Sequence, residues 1–427
     1  MKIQNSSAIS PFGGLNFVLK EFETLGLNNL LKESLPILPI QSTYSWKDIF
    51  YTYWSILFCG GECAEDISIN LGRGLKTPYM KCPSPDRLLN RLKELAEPKT
   101  SIQKNRSLAI NEISTNYRLS ILNIKLLKKV GLLKAQNLVL DYDNTIIYTD
   151  KSDAKMTYKK DKGYFPGVGI VGNIIVYIEN RNGNSAPHSM QDDTIDRMMH
   201  LLESQNIKVD CFRADSASYQ FSTITTARKY FKRIFVRAKI NASTNKAIAS
   251  ITNWEEIGNG QQRGSVSFIP FPDAARRAKK KGLLEEYRLI VTREKRRDGQ
   301  LNLFTGECYE YKAVMTNDFE MSDEQVVEFY NQRGKQEREF DILKNEFAWN
   351  KIPFSKLEQN TVFLYITAMC RNIYQYIICK FSKIFKHLSS HFRLKKFIFR
   401  FICIPAKWIN TGRQLKLRIY GEIGYKT

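Results

Sequence analysis

The sequence predicts a mixed α/β protein. Its α/β core is interrupted by a β-rich insertion, preceded by a helical N-terminal domain and followed by a basic helical C-terminal region. Two observations carry this reading. Apolar spacing is helical up to about residue 130, alternates between strands and amphipathic helices from 136, and turns strand-rich from about 241 to 320 before helical spacing resumes at Ser322. A chain of 427 residues can bury a sizeable core and hold two or three domains. The expected divisions are 1–130 (helical), 131–240 (first part of the core), 241–320 (insertion), 321–380 (rest of the core) and 381–427 (basic C-terminal region).

Each element follows from local pattern. Ser45 is placed to cap a helix through YTYWSILF, which Gly60 and Gly61 end. In CPSPDRLLNRLKELAEP, Ser84 or Asp86 caps a helix with apolar Leu88, Leu92 and Leu95, closed by Pro98. That helix fits a DNA-end-binding bundle and equally fits plain packing. NLVLDYD, GYFPGVGIVG and IIVYIENRN read as three strands. DDTIDRMMHLLESQ is helical on Ile195, Met198, Met199 and Leu202. VDCFRADSAS is a strand ending in acid, STITTARKYF a helix and RIFVRAKI a strand. This order is that of an RNase H-like fold and is also compatible with other α/β sheets. SVSFIPF, EYRLIVTREK and ECYEYKAVMTN form the insertion, with the basic segment RRAKKKG among them. The apolar stretch from Thr361 to Phe381 is broken by Arg371 and Lys380, so it reads as a buried helix and not a membrane span.

Charge narrows the partner. There are 65 Lys and Arg against 43 Asp and Glu, a formal net charge of +22. Such a balance favours a polyanion, with nucleic acid ahead of an anionic membrane surface. From Lys380 onward there are twelve Lys or Arg and one acid, Glu422. The eight cysteines form no CxxC pair, and Cys59 and Cys63 have no neighbouring His or Cys cluster, which argues against zinc and for reduced thiols in a cytoplasmic protein. The N-terminal MKIQNSSAISPFGG lacks a signal peptide's apolar core. No P-loop occurs, and His188, His200, His387 and His391 form no catalytic unit.

The most charged stretch is YNQRGKQEREFDILK, from Tyr330 to Lys344. Ser322 and Gln325 form a capping box, and a helix without proline is expected through Phe347. At about 100° per residue, Tyr330, Arg333, Glu337 and Lys344 project within roughly a 60° stripe. An Arg333–Glu337 pair on a solvated face would contribute only a few tenths of a kcal/mol. The other acids favour a second reading. LVLDYDNT places Asp141 and Asp143 on one strand face, and CFRADSAS ends at Asp215. In an RNase H-like sheet these two strands are neighbours, so Asp143, Asp215 and a helical Glu337 would converge. Clustered carboxylates raise one another's pKa unless a cation offsets them. One or two Mg²⁺ ions would do so and would support phosphodiester chemistry.

The spacing Tyr330, Arg333, Glu337, Lys344 resembles the Y-x2-R-x3-E-x6-K signature of a group of bacterial insertion-sequence DDE transposases. Asp143 with Thr145 resembles that group's D-x-T motif, and Arg213-Ala214-Asp215-Ser216 its second-aspartate motif. Arg181-Asn182-Gly183-Asn184 resembles the R-x-G-N turn of one subgroup. The resemblance covers at least residues 136–375. It implies cut-and-paste transposition: Asp143, Asp215 and Glu337 hold Mg²⁺ (Mn²⁺ substituting), while Tyr330, Arg333 and Lys344 bind DNA phosphate. The implied partners are terminal inverted repeats and target DNA, with a homodimer on paired ends in the bacterial cytoplasm. Trp254 is a counterpart for the aromatic that holds a flipped base in such enzymes; a structural Trp is the competing reading.

Two alternatives remain at the sequence level. VLDYDNTI also fits the nucleophile motif of haloacid-dehalogenase-type phosphatases, with Asp141 attacking phosphate, although RADSASYQ lacks the second acid that chemistry requires. A transposase-derived DNA-binding protein without catalysis is the other. Asp141 also competes with Asp143 as first metal ligand.

Overall fold

The computed structural model describes residues 9–72, 75–103, 110–133, 136, 138–277, 285–296, 299–301 and 306–420. Most of RRAKKKG, and Glu422, lie outside them. Helices α1 (Leu15–Thr24), α2 (Leu27–Ser34), α3 (Trp46–Phe58) and α4 (Pro85–Lys93) lead. Strands β1 (Thr100–Ile102) and β2 (Asn111–Ser114) and helix α5 (Tyr117–Lys129) follow. Ser45 caps α3 in a reciprocal box with Asp48, and Ser84 caps α4, accepting from the Arg87 amide.

The central segment comprises β3 (Leu138–Asn144), the short β4 (Ile147–Tyr148), β5 (Lys155–Met156) and β6 (Lys162–Tyr164), then β7 (Gly167–Val171) and β8 (Ile174–Arg181). It continues through α6 (Gln191–Ser204), β9 (Val209–Ala214), α7 (Phe221–Tyr230) and β10 (Arg233–Ala238). Next come α8 (Ala242–Ala249), β11 (Glu255–Gly258), β12 (Gln261–Phe268), α9 (Pro272–Arg277), β13 (Tyr287–Lys295) and β14 (Tyr309–Thr316). The last part holds α10 (Asp323–Asn331), α11 (Lys335–Glu346), α12 (Leu357–Ile384), α13 (Leu394–Phe397), β15 (Ala406–Thr411) and β16 (Gln414–Ile419).

One sheet of eleven strands organises the chain, in the order β1-β2-β8-β7-β3-β9-β10-β14-β13-β12-β11. β7 is antiparallel to both of its neighbours, β8 and β3, whereas β9 is parallel to both β3 and β10. The strand-rich stretch expected as an insertion domain does not stand apart. β14 pairs antiparallel with β10, and β13, β12 and β11 extend the same sheet. The reason is that β10 would otherwise present an unpaired edge.

Strand alternation divides the sheet into two buried faces. Leu138, Leu140 and Tyr142 of β3 point into the core shared with α6 and α7. The opposite face is covered by α12 over β7 and β8, and by α10 through Val326 and Tyr330. The N-terminal helices share the α12 core: Trp54 of α3 donates its indole N–H to the Ile366 carbonyl at 3.0 Å. No helix among the described residues is long and apolar enough to cross a membrane. The C-terminal region differs from its helical expectation. After α13 it forms the β15–β16 hairpin, and Phe381, Phe385, Phe397 and Phe401 fill the core while Phe399 is exposed.

Candidate active site

The site lies at the C-terminal ends of β3 and β9. Parallel register sets Asp141 opposite Arg213 and Tyr142 opposite Ala214, so the next residues, Asp143 and Asp215, come side by side. Asp215 begins the turn after β9, its Oδ1 accepting the Ala217 amide at 3.0 Å. Asp143 Oδ1 accepts the Asn144 amide at 2.8 Å.

The two aspartates of LVLDYDNT separate into different roles. Asp141 is 2 % exposed and receives both Nε and Nη2 of Arg213 at 2.7 Å. Arg213 also donates to the Phe329 carbonyl at 2.6 Å and lies against the Phe329 ring. Asp141 is thus half of a satisfied, buried bidentate pair that ties β3, β9 and α10 together. A nucleophilic Asp141 would have to surrender both bonds, which counts against the phosphatase reading. Asp143, one strand period further on, opens toward the site.

Asp143 has a carboxyl pushed up to about 6. Burial is the main cause; the Arg333 guanidinium opposes it and the neighbouring Asp215 adds to it. Arg333 Nη2 stands 2.7 Å from Asp143 Oδ2. That contact is an ion pair without hydrogen-bond alignment, so Nε and Nη2 of Arg333 remain buried without an acceptor.

The expected single helix through Phe347 is interrupted. A 3₁₀ turn over Gln332–Gly334 separates α10 from α11. The unbroken 100° count therefore fails across this joint. Tyr330 is 8 % exposed and donates its hydroxyl to the Ala214 carbonyl at 3.2 Å. It pins α10 to the end of β9, where its hydroxyl hydrogen is engaged. Arg333 turns onto Asp143. Glu337 sits exposed in the first turn of α11, with no side-chain hydrogen bond or ion pair among the described residues. Lys344 is half-buried, and burial lowers its ammonium pKa. Glu339 is not a rival to Glu337, because Arg371 of α12 holds both its oxygens at 2.8 to 3.1 Å.

The structure therefore brings Asp143, Asp215 and Arg333 together and leaves Glu337 outside. Among the described residues no three His, Cys, Asp or Glu side chains are gathered as a metal ion would require. The expected three-acid set is absent as a cluster, since Arg333 supplies the positive charge beside Asp143. The donor set still fits a hard divalent cation at two positions: adjacent carboxylates, one with a raised pKa, next to a cation that lacks proper hydrogen bonds.

Neighbouring motif residues are structural. Arg181 is wholly buried, donating to Glu179 at 3.1 Å, the Ser189 carbonyl at 2.9 Å and the Tyr142 hydroxyl at 3.1 Å. Gly183 has no room for a side chain: a Cβ would lie 2.4 Å from the Lys155 carbonyl oxygen. Trp254 stacks under Arg293, whose guanidinium centre is 3.8 Å from the ring centroid and 4.2 Å from that of Tyr309. Sequence reasoning missed Arg213 as the partner of Asp141. Its only signal is its place two residues before Asp215, on the same strand face.

The sequence model of the family described as Transposase DDE domain group 1 matches residues 5–427. No curated protein matches the chain. Two solved structures show low similarity. A cryo-EM structure of the piggyBac transposase synaptic complex with hairpin DNA has 12% identity and a TM-score of 0.43, covering 92% of this chain and 80% of that one. The crystal structure of the Mos1 strand transfer complex has 10% identity and a TM-score of 0.20, covering 81% and 98%. Neither likeness adds to the family match. That match spans nearly the whole chain, and the chain belongs to the DDE transposase family.

Proposed function

From membership in a family of DNA transposases with divalent-metal dependence, we propose that this chain cleaves the ends of its element and joins them to target DNA by cut and paste, through Asp143, Asp215 and Glu337. The observation that carries the site assignment is the register of β3 against β9, which sets Asp143 beside Asp215. The strand order β8-β7-β3-β9-β10, with its antiparallel and parallel halves, supports an RNase H-like core.

Asp143 and Asp215 would hold the metal, Mg²⁺ or Mn²⁺ and by our reading two ions, with Glu337 as third donor. Bound there, such ions would activate the attacking oxygen and stabilise the leaving oxygen of a phosphodiester. The chain's own groups act around that chemistry. Arg333 neutralises Asp143 and, once released from it, can turn to a DNA phosphate. Tyr330 positions the strand end carrying Asp215 through the Ala214 carbonyl. The 3₁₀ turn over Gln332–Gly334, which carries Arg333 and precedes Glu337, is where α11 can re-orient. We assign the inverted repeats and target DNA as partners, a homodimer as the acting form and the bacterial cytoplasm as its place.

The test is strand cleavage of DNA carrying the repeats that flank the gene, in Mg²⁺ or EDTA. Metal-dependent cuts at the repeat ends, lost in Asp143→Asn, Asp215→Asn and Glu337→Gln, are expected. Cleavage by Glu337→Gln at the unmodified protein's rate would remove Glu337 from the site.

A further inference from the structure

Helix α11 has a second working face. Taking Lys335 as zero, at about 100° per residue Lys335, Arg338, Glu339, Ile342 and Glu346 fall within roughly a 100° arc, and Glu337 lies about 200° round. Those five residues line a cavity of about 480 Å³ with Asn173 and the segment from Ser390 to Leu394. It runs into a wider, open cavity of about 740 Å³, which shares Arg338, Glu346, His391, Phe392 and Arg393 and ends at Lys395 and Lys396. The two form a continuous groove along α11: its inner part lies on the side turned away from Glu337, and its outer part reaches Asp341 and Asn345, one to two turns beyond Glu337.

The charges in this groove are unequally satisfied. Glu339 is matched by Arg371. Glu346 and Asp341 are matched by Arg393, and the second Glu346 oxygen also accepts the Leu394 amide. Arg213 is matched by Asp141. The remaining cations are Lys335, Arg338, Lys395 and Lys396, all exposed and without an ion pair among the described residues. Glu339 has Arg371, and Glu346 and Asp341 share Arg393; Lys395 lies in the field of Asp341 and Lys396 over the Phe392 ring, but none of the four cations is held by a carboxylate at ion-pair distance among the described residues. Their ammonium and guanidinium groups line a trough whose floor is ordered by buried ion pairs.

We propose that this groove binds a nucleic-acid sugar–phosphate backbone, as a site separate from the one that holds the strand being cut. The proposal rests on the transposase reading for its polyanion. Neutralising phosphates with unpaired Lys and Arg releases counterions and gives a steep salt dependence, whereas cations already paired with carboxylates contribute little. The groove thus gives a second stretch of DNA a hold on the same helix that carries Glu337.

The probe is a fluorescent duplex of mixed sequence, with affinity measured over a KCl series on the full chain. Each lost phosphate contact lowers the slope of log affinity against log salt by about 0.9, so Lys335→Ala with Arg338→Ala should lower it by about two. Lys395→Ala with Lys396→Ala should do the same. Lys125→Ala with Lys208→Ala removes equal charge from exposed positions elsewhere and serves as the control. Thermal midpoints, together with Arg338→Glu alone, guard against loss of fold. A fall in slope for both groove pairs beyond the control supports the site. An unchanged slope, or a fall no larger than the control's, overturns it. Cleavage at repeat ends is read separately, so a failed transposase assay with a normal groove slope, or the reverse, identifies which claim is wrong.

Discussion

Arg333 Nη2 lies 2.7 Å from Asp143 Oδ2, so a guanidinium from the 3₁₀ turn between α10 and α11 neutralises the carboxylate at the end of β3. This relationship makes Arg333 a competitor of any cation at Asp143. It also separates the roles of residues that look equivalent in sequence.

Removing the competitor should strengthen metal binding while harming turnover. Arg333→Ala is expected to bind Mn²⁺ several-fold more tightly by titration calorimetry and to cut repeat ends more slowly. Weaker Mn²⁺ binding in that variant would show that Arg333 assists the cation and does not oppose it.

The raised Asp143 carboxyl gives a sign for pH. It is protonated below about pH 6 and ionised above, so metal binding displaces a proton near that pH and weakens as pH falls through it. Calorimetry in two buffers of different ionisation heat should detect the released proton in the unmodified protein and not in Asp143→Asn. Equal proton release in both would assign it to another group.

Asp141 and Asp143 should part company in stability. Asp141→Ala strands the buried Arg213 and is expected to cost about 3–5 kcal/mol. Asp143→Ala relieves a carboxyl that burial disfavours but leaves Arg333 without its ion-pair partner, so the two effects oppose and the variant should cost less than Asp141→Ala. Thermal unfolding of the two variants, compared directly, would falsify the division if their order were reversed.

Glu337 and Glu339 form a second such contrast. Glu339→Gln breaks a bidentate pair with Arg371 and should lower the unfolding midpoint clearly. Glu337→Gln, at an exposed position, should change it by less than about 0.5 kcal/mol and yet abolish cleavage. Cleavage retained in Glu337→Gln and lost in a fully folded Glu339→Gln would exchange their roles.

Tyr330 acts through packing and one hydrogen bond. Tyr330→Phe should cost about 1 kcal/mol, and Tyr330→Ala about 3–5 kcal/mol. Both are read by denaturant unfolding. A Phe variant that keeps its stability but loses DNA affinity would return the hydroxyl to a phosphate-binding role.

The sequence by itself determined the order of strands and helices through the core, because apolar periods of two and 3.6 are local properties. It also placed acids at the ends of two strands and spaced Tyr330, Arg333, Glu337 and Lys344 on a capped helical segment. Only the tertiary structure decided what each of these residues does. Asp141 and Asp143 have the same strand phase, and they differ because Arg213, from the neighbouring strand, reaches one and not the other. Glu337 and Glu339 differ because Arg371, thirty-two residues on from Glu339, packs against one face of α11. The strands after residue 254 join the main sheet because β10 offers an edge, which no local pattern announces. Periodicity states which way a side chain points along its own element; what it meets there is set by another part of the chain.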